Sequence, residues 1–281
     1  MKEIKASFVT DTIEQLCYKA AYDLPEEVKE CIQDKSATEE SDFGKYIFEQ
    51  IVENIDYAHE QQIAICQDTG TAVIFAEVGQ DVHISDKGLT DAINEGVRRG
   101  YNKGYLRNSI CTDPVFKRKN TGDNTPAIIH YEIVPGDRLK LVILPKGGGS
   151  ENMGQMKMLV PSQGLQGVKD FIIQAVVTAG GNPCPPIIVG VGIGGTMDKV
   201  TFLAKKALTR KIGSLNPDPE YANLEKELLE EINATGIGPQ GLGGRVTALA
   251  VQIEYYPTHI TQLPVAVNIN CHASRYAEAI L

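Results

Sequence analysis

The most constraining feature of the sequence is an uncharged stretch from Phe171 to Met197, FIIQAVVTAGGNPCPPIIVGVGIGGTM. A segment of this length could cross a bilayer, but GGNPCPP would break a spanning helix midway and leave backbone groups unpaired in lipid. The stretch must therefore be buried inside a folded protein. It predicts a buried helix, a turn that carries Cys184, and a buried strand.

The rest of the chain also divides into helical and strand-like segments. Helical periodicity dominates residues 1–62, and short apolar runs alternate with helical patterns across residues 63–281. We predict an α/β fold of mixed sheets with flanking helices, preceded by an N-terminal helical lobe, all within one catalytic-type domain, 1–281. The segment PGDR, 135–138, joins two apolar runs and predicts a β-hairpin. Cys17 and Cys31 fall in the early helices as small apolar residues.

The net charge and the N-terminal residues argue against some classes of protein. The net charge of -9 argues against nucleic acid, which needs a basic surface. The N-terminus has no apolar run of signal-peptide length, so a cytoplasmic protein without a membrane segment is expected.

Two glycine-rich motifs need interpretation. GVGIGG, 190–195, matches a dinucleotide fingerprint, but a second helix follows where that fingerprint requires a second strand ending in an acidic residue. We expect these glycines to allow close approach of a ligand or of a neighbouring strand. KGGGSENMGQMK, 146–157, lacks the Walker A spacing. Its glycine N–H groups could bind a carboxylate beside Lys146, or the segment could be a flexible surface loop.

Three of the six cysteines lie at the ends of apolar runs, where open α/β folds place their chemistry: Cys66, Cys184 and Cys271. Three thiolates make a soft, sulfur-only site. Zinc would need a histidine as fourth ligand, and His272 is poorly placed to share a metal with Cys271. A [4Fe-4S] cube held by three cysteines would leave one iron open to substrate. Spacing alone leaves these possibilities open, and it leaves the role of Cys111 open.

Five motifs in order, CQDTGT, KGGGSENM, GGNPCPP, GVGIGGT and NINCHASR, resemble the α-type catalytic domain of the iron-sulfur hydro-lyases, class I fumarate hydratase and L-tartrate dehydratase. The resemblance covers nearly the whole chain. It implies a [4Fe-4S] cluster held by Cys66, Cys184 and Cys271, whose open iron acts as a Lewis acid in the reversible hydration of fumarate to L-malate. Dehydration of L-tartrate is the alternative within the same chemistry.

The resemblance also implies roles for individual residues. Asp68, paired with His259, would handle the departing hydroxyl, and the loop that carries His259 is expected to bring it toward Cys271. The substrate would be bound by Gln67, Arg107, Gly148 and Gly149.

The chain stops soon after its third cluster cysteine. The resemblance therefore implies an α subunit whose site is completed by a separate β subunit, which would supply the base for the carbon-bound proton in a hetero-oligomer of αβ units. Two other classes stay open at this point: a non-catalytic iron-sulfur redox or oxygen sensor, and a dinucleotide-dependent oxidoreductase.

Overall fold

A computed structural model describes residues 2–281 and shows helices that flank three sheets. The predicted fold class, α/β with mixed sheets and an N-terminal helical region, is confirmed. The helices are α1 Ala6–Tyr22, α2 Glu26–Thr38, α3 Asp42–Gln61, α4 Leu89–Lys103, α5 Gly148–Glu151, α6 Gly164–Ala179, α7 Met197–Ala207 and α8 Pro219–Asn233. The strands are β1 Lys2–Lys5, β2 Thr71–Gly79, β3 Val82–Ser85, β4 Ile128–Val134, β5 Leu139–Lys146, β6 Gln155–Leu159, β7 Ile187–Gly194, β8 Ala248–Tyr256, β9 Leu263–Asn270 and β10 Ala277–Ile280.

The chain forms two compact units. Unit 1 contains residues 2–25, Ile55–Gly148 and Arg275–Leu281, and unit 2 contains Glu26–Asn54 and Gly149–Ser274. The stretch predicted as a separate helical lobe, 1–62, thus contributes to both units.

Unit 1 is built on a four-stranded sheet of order β10-β5-β2-β4. It also contains a two-stranded parallel sheet formed by β1 and β3. Helices α1 and α4 pack together because α4 carries glycines where α1 comes closest. A Cβ on Gly96 would lie 2.6 Å from the Ile13 Cβ, and one on Gly100 would lie 2.6 Å from the Cys17 Cβ. Burial raises the pKa of the Cys17 thiol, and this residue is a core side chain as predicted.

Unit 2 is built on a sheet of order β6-β9-β7-β8, in which β8 runs parallel to β7 and β9 runs antiparallel to it. Alternation along β7 sends every second side chain, from Ile187 to Ile193, into the core that includes α6 and α8. Gly190 and Gly192 face α7: a Cβ on Gly190 would lie 2.3 Å from the Ala204 carbonyl oxygen, and one on Gly192 would lie 2.1 Å from that of Val200. Gly194 allows close approach of the neighbouring strand β8, as expected, because a Cβ there would lie 2.0 Å from the Tyr256 carbonyl oxygen.

The predicted hairpin at 135–138 is wrong. Strand β2 lies between β4 and β5 and pairs with both, parallel to β4 and antiparallel to β5. The central position suits β2 because its middle residues are all buried and apolar, whereas β4 alternates between exposed and partly buried residues as an edge strand does.

The uncharged stretch folds as predicted, into α6, a turn and the fully buried β7. Across residues 2–281, no helix combines the length and apolar character that a membrane span requires.

Candidate functional site

The segment CQDTG, 66–70, lies between α3 and β2 and is held in one conformation by its own carboxylate. The Asp68 side chain accepts a hydrogen bond from the Gly70 N–H through Oδ1, at 3.0 Å, and one from the Gly148 N–H through Oδ2, at 2.7 Å. Gly70 adopts a positive φ of 76°, and a Cβ there would lie 2.7 Å from the Lys146 carbonyl carbon. Glycine is therefore needed at this point of the turn. The KGGGS segment, 146–150, thus binds a carboxylate through the Gly148 N–H, and that carboxylate is the side chain of Asp68.

Tyr101 on α4 supports the same segment from the core of unit 1. Its hydroxyl lies 2.9 Å from the carbonyl oxygen of Thr69 and 3.1 Å from that of Gly70, and donates toward both. The ring is 1% exposed, and burial raises the pKa of the Tyr101 hydroxyl, which keeps it protonated as a donor. Asn124 donates a further hydrogen bond to the Gly70 carbonyl, at 3.1 Å.

Arg107 lies next to this segment. The Thr69 hydroxyl donates to the Arg107 carbonyl oxygen at 3.1 Å, so the loop after α4 is joined to the turn that carries Asp68. The Arg107 residue itself is exposed. Its guanidinium is thus accessible to a ligand while its main chain is fixed.

Arg275 is a residue that sequence reasoning missed, although it ends the quoted motif NINCHASR. It is 3% exposed, and its Nη2 donates to the Asp68 carbonyl oxygen. Its Nε and Nη1 are buried without a hydrogen-bond partner among residues 2–281. The only sequence signal was an arginine four residues after Cys271. That spacing does not predict a contact with Asp68, which lies 207 positions away in the chain.

Cys184 and Cys271 lie together in unit 2. The His272 N–H donates to the Cys184 carbonyl oxygen at 3.2 Å, and the His272 ring Nδ1 lies 3.1 Å from the same oxygen. Gln240 holds the residue after Cys184 in place, because the main-chain N–H of Gln240 donates to the Pro185 carbonyl oxygen at 2.8 Å. Cys184 itself has a φ of 56°, an uncommon conformation for a residue with a side chain. Two of the three predicted cluster ligands are therefore neighbours.

The expected placement of the cysteines at strand ends holds for one of them. Cys271 follows β9 directly, whereas Cys66 precedes β2 and Cys184 precedes β7. Because β9 runs antiparallel to β7, the end of β9 and the start of β7 still meet at one edge of the sheet. This is how Cys184 and Cys271 come together.

The expectation that the loop brings His259 toward Cys271 is wrong. His259 lies in the loop between β8 and β9, as predicted, and its Nδ1 is 2.9 Å from the Thr261 hydroxyl. The eight residues of β9 separate this loop from Cys271, a span of about 26 Å for an extended strand. The two residues thus lie at opposite ends of the unit 2 sheet.

The remaining predicted substrate ligands lie on two loops. Gln67 is exposed beside Asp68, and Gly148 and Gly149 are exposed at the start of α5. Gly149 belongs to unit 2, where a Cβ on it would lie 3.6 Å from the Asn182 carbonyl oxygen in the GGNPCPP turn. That turn is the one that carries Cys184.

Across residues 2–281, no three His, Cys, Asp or Glu side chains converge as they would on a single metal ion, and no disulfide joins any of the six cysteines. An iron-sulfur cube is a different case, because each thiolate binds its own iron and the three thiolates do not converge on one point. Cys184 and Cys271, on neighbouring loops of unit 2, are at least partly exposed, and Cys66 in unit 1 is partly exposed on a fixed turn. Each of these thiols is thus accessible to an iron, as a ligand of such a group must be.

Comparison with known proteins agrees with this chemistry. A family model described as fumarate hydratase (Fumerase) matches residues 10–280. A Methanocaldococcus jannaschii protein named "Putative L(+)-tartrate dehydratase subunit alpha" is 43% identical over 274 residues, which is 96% of each chain. The L(+)-tartrate dehydratase subunit alpha of Escherichia coli strain UTI89 is 35% identical over 255 residues, or 90% of this chain and 84% of its own.

The family model and both relatives thus align with nearly the whole chain. The family predicted from the five motifs is confirmed: the chain belongs to the fumarate hydratase (Fumerase) family, as an α subunit of the class I iron-sulfur hydro-lyases.

Proposed function

We propose that this chain is the α subunit of an iron-sulfur hydro-lyase that removes water from L(+)-tartrate. The names of the relatives support tartrate, and they favour it over the hydration of fumarate that the motifs alone suggested. Fumarate and malate remain the second candidate pair because the matching family model is named for fumarate hydratase.

The proposal assigns the cofactor to Cys66, Cys184 and Cys271. A [4Fe-4S] cluster bound there would supply a Lewis acid for the substrate hydroxyl through its open iron. The support from this chain is the contact between the loops that carry Cys184 and Cys271, and the fixed turn that carries Cys66.

The observation that carries the proposal is the fixed carboxylate of Asp68. Both carboxylate oxygens accept main-chain N–H groups, so the side chain cannot rotate without losing two hydrogen bonds. A carboxylate fixed two residues from Cys66 is suited to exchange a proton with a hydroxyl bound beside that cysteine. The exposed Arg107 guanidinium is suited to one substrate carboxylate through a bidentate hydrogen bond.

The predicted pairing of Asp68 with His259 stays a prediction. The described hydrogen bonds of His259 go to Thr261 in its own loop, at the opposite end of β9 from Cys271. We therefore assign the proton step to Asp68, and the kcat of a His259→Asn variant of the cluster-loaded αβ pair tests the pairing.

The proposal includes a separate β subunit that completes the site. Both relatives are named as subunit alpha, which supports a partner chain. We expect that partner to supply the base for the carbon-bound proton, and we expect the α chain alone to have little or no activity.

Anaerobic purification of the α chain with and without its β partner tests the proposal. We expect about four iron and four sulfide per α chain, and turnover of L(+)-tartrate only in the pair. Comparison of kcat/KM for L(+)-tartrate, L-malate and fumarate decides between the candidates, because a site built to bind the second hydroxyl discriminates strongly against substrates that lack it. Full turnover by the cluster-loaded α chain alone would refute the divided site. Absence of turnover on all three substrates by the pair would refute the hydro-lyase proposal.

A further inference from the structure

Arg275 is a buried cation whose only hydrogen bond within residues 2–281 goes to the main chain of Asp68. Its side chain donates through Nη2 to the Asp68 carbonyl oxygen, and its other two guanidinium nitrogens are buried without partners. Burial of a charge with unsatisfied donors is unfavourable, and the Asp68 carbonyl oxygen is the one described group that accepts a hydrogen bond from this guanidinium.

The strand order of unit 1 explains how Arg275 reaches Asp68. The Asp68 turn precedes β2, Gly148 follows β5, and Arg275 precedes β10. Strand β5 is antiparallel to both β2 and β10, with Thr71 opposite Lys146 and Ala277 opposite Ile143. The start of β2, the end of β5 and the start of β10 therefore lie at the same edge of one sheet.

All three oxygens of Asp68 are consequently hydrogen-bonded. The carbonyl oxygen accepts from Arg275, Oδ1 accepts from the Gly70 N–H, and Oδ2 accepts from the Gly148 N–H. The two glycines fix only the carboxylate, whereas Arg275 fixes the peptide plane from which it projects. Loss of Arg275 would release the backbone that orients the carboxylate, and would thereby weaken both of the carboxylate hydrogen bonds.

We propose that Arg275 is a positioning residue for Asp68, and that its guanidinium holds the Asp68 main chain so that the carboxylate meets the substrate hydroxyl in one orientation. The catalytic part of this inference rests on the proposed function. The structural part, the restraint of the turn, does not.

The test compares Arg275→Met with Arg275→Lys, which keeps a positive charge and one donor for the Asp68 carbonyl. Arg210→Lys is the control for change of a buried arginine elsewhere in the fold. Arg210 pairs with Glu225 at 2.6 Å, its Nη1 donates to the Ile253 carbonyl oxygen at 3.2 Å, and its Nε lacks a partner among residues 2–281.

Hydrogen exchange of the Gly70 and Gly148 amides is measured first, in the full α chain without cluster or partner. We expect Arg275→Met to speed exchange at both amides about tenfold, while Arg210→Lys leaves them unchanged. Steady-state kinetics of the cluster-loaded αβ pair are measured second. Because small misplacement of a reacting group costs about 100-fold in rate, we expect kcat to fall about 100-fold in Arg275→Met with KM within about threefold of wild type, and Arg275→Lys to recover about tenfold of that loss.

Faster exchange with unchanged kcat would show that Arg275 only stabilises the fold, and reduced kcat with unchanged exchange would show that it does not act through this turn. Either result overturns the inference, as does an Arg275→Lys variant no better than Arg275→Met. If the wild-type pair turns over none of the three substrates, the proposed function fails, and the exchange measurement still decides whether Arg275 restrains Asp68.

Discussion

A buried carboxylate in unit 2, Glu39, is expected to contribute far more to stability than the glutamate beside it. Glu39 is 2% exposed and accepts hydrogen bonds from four main-chain N–H groups, at 2.9 to 3.0 Å. The donors are Glu40, Ser41, Arg245 and Val246. They join the segment between α2 and α3 to the residues that precede β8.

In Glu39→Gln, one carboxylate oxygen becomes an NH₂ group that faces N–H donors instead of accepting from them. If Oε2 is replaced, the Val246 N–H loses its acceptor and Arg245 keeps only one of its two contacts. A hydrogen bond to a charged group contributes about 1.5–3 kcal/mol, and an orphaned buried donor adds a desolvation cost of similar size. We expect the free energy of unfolding to fall by about 3 kcal/mol, measured by urea denaturation at pH 7.

Glu40→Gln is the control. Glu40 also contacts Arg245, but through an ion pair between exposed side chains, and such pairs contribute about 0–1 kcal/mol. Equal losses in the two variants, or a loss below about 1 kcal/mol in Glu39→Gln, would refute the reasoning from burial and main-chain hydrogen bonding.

The pH dependence gives a second measurement on the same pair of variants. Burial opposes ionisation of Glu39, but the main-chain hydrogen bonds outweigh it and lower the pKa of the folded carboxyl. A lowered folded pKa contributes stability above the unfolded pKa of about 4.3, and this contribution is lost as the pH falls below that value. We therefore expect wild type and Glu39→Gln to approach each other in stability as the pH falls from 5 toward about 3.

Three further changes have definite expected outcomes. Asp68→Asn should lower kcat of the reconstituted pair about 100-fold or more without loss of iron, whereas unchanged turnover would remove its assigned role. Gly192→Ala, whose Cβ would lie 2.1 Å from the Val200 carbonyl oxygen, should lower the free energy of unfolding by about 3 kcal/mol. Tyr101→Phe removes a buried hydroxyl that donates to the Thr69 and Gly70 carbonyls, and should cost about 1–3 kcal/mol by urea denaturation; no measurable loss would contradict that contact.

The position of His259 shows how far motif order can carry a prediction of a site. The motif order predicted the family, which the comparisons confirm. Motif order does not give distances within the fold, however. His259 precedes β9 and Cys271 follows it, so the length of that strand separates the two residues.

The sequence by itself determined the α/β class, most helices and strands, the burial of 171–197 and the family, because hydrophobic periodicity and dense motifs are local signals. Tertiary structure alone decided that β2 separates β4 from β5, that Gly190 and Gly192 pack against α7, and that Arg275 reaches Asp68. These features depend on strand order and direction, which bring together residues up to 207 positions apart. Such contacts are selected by burial of the whole sheet, and no local pattern of residues encodes them.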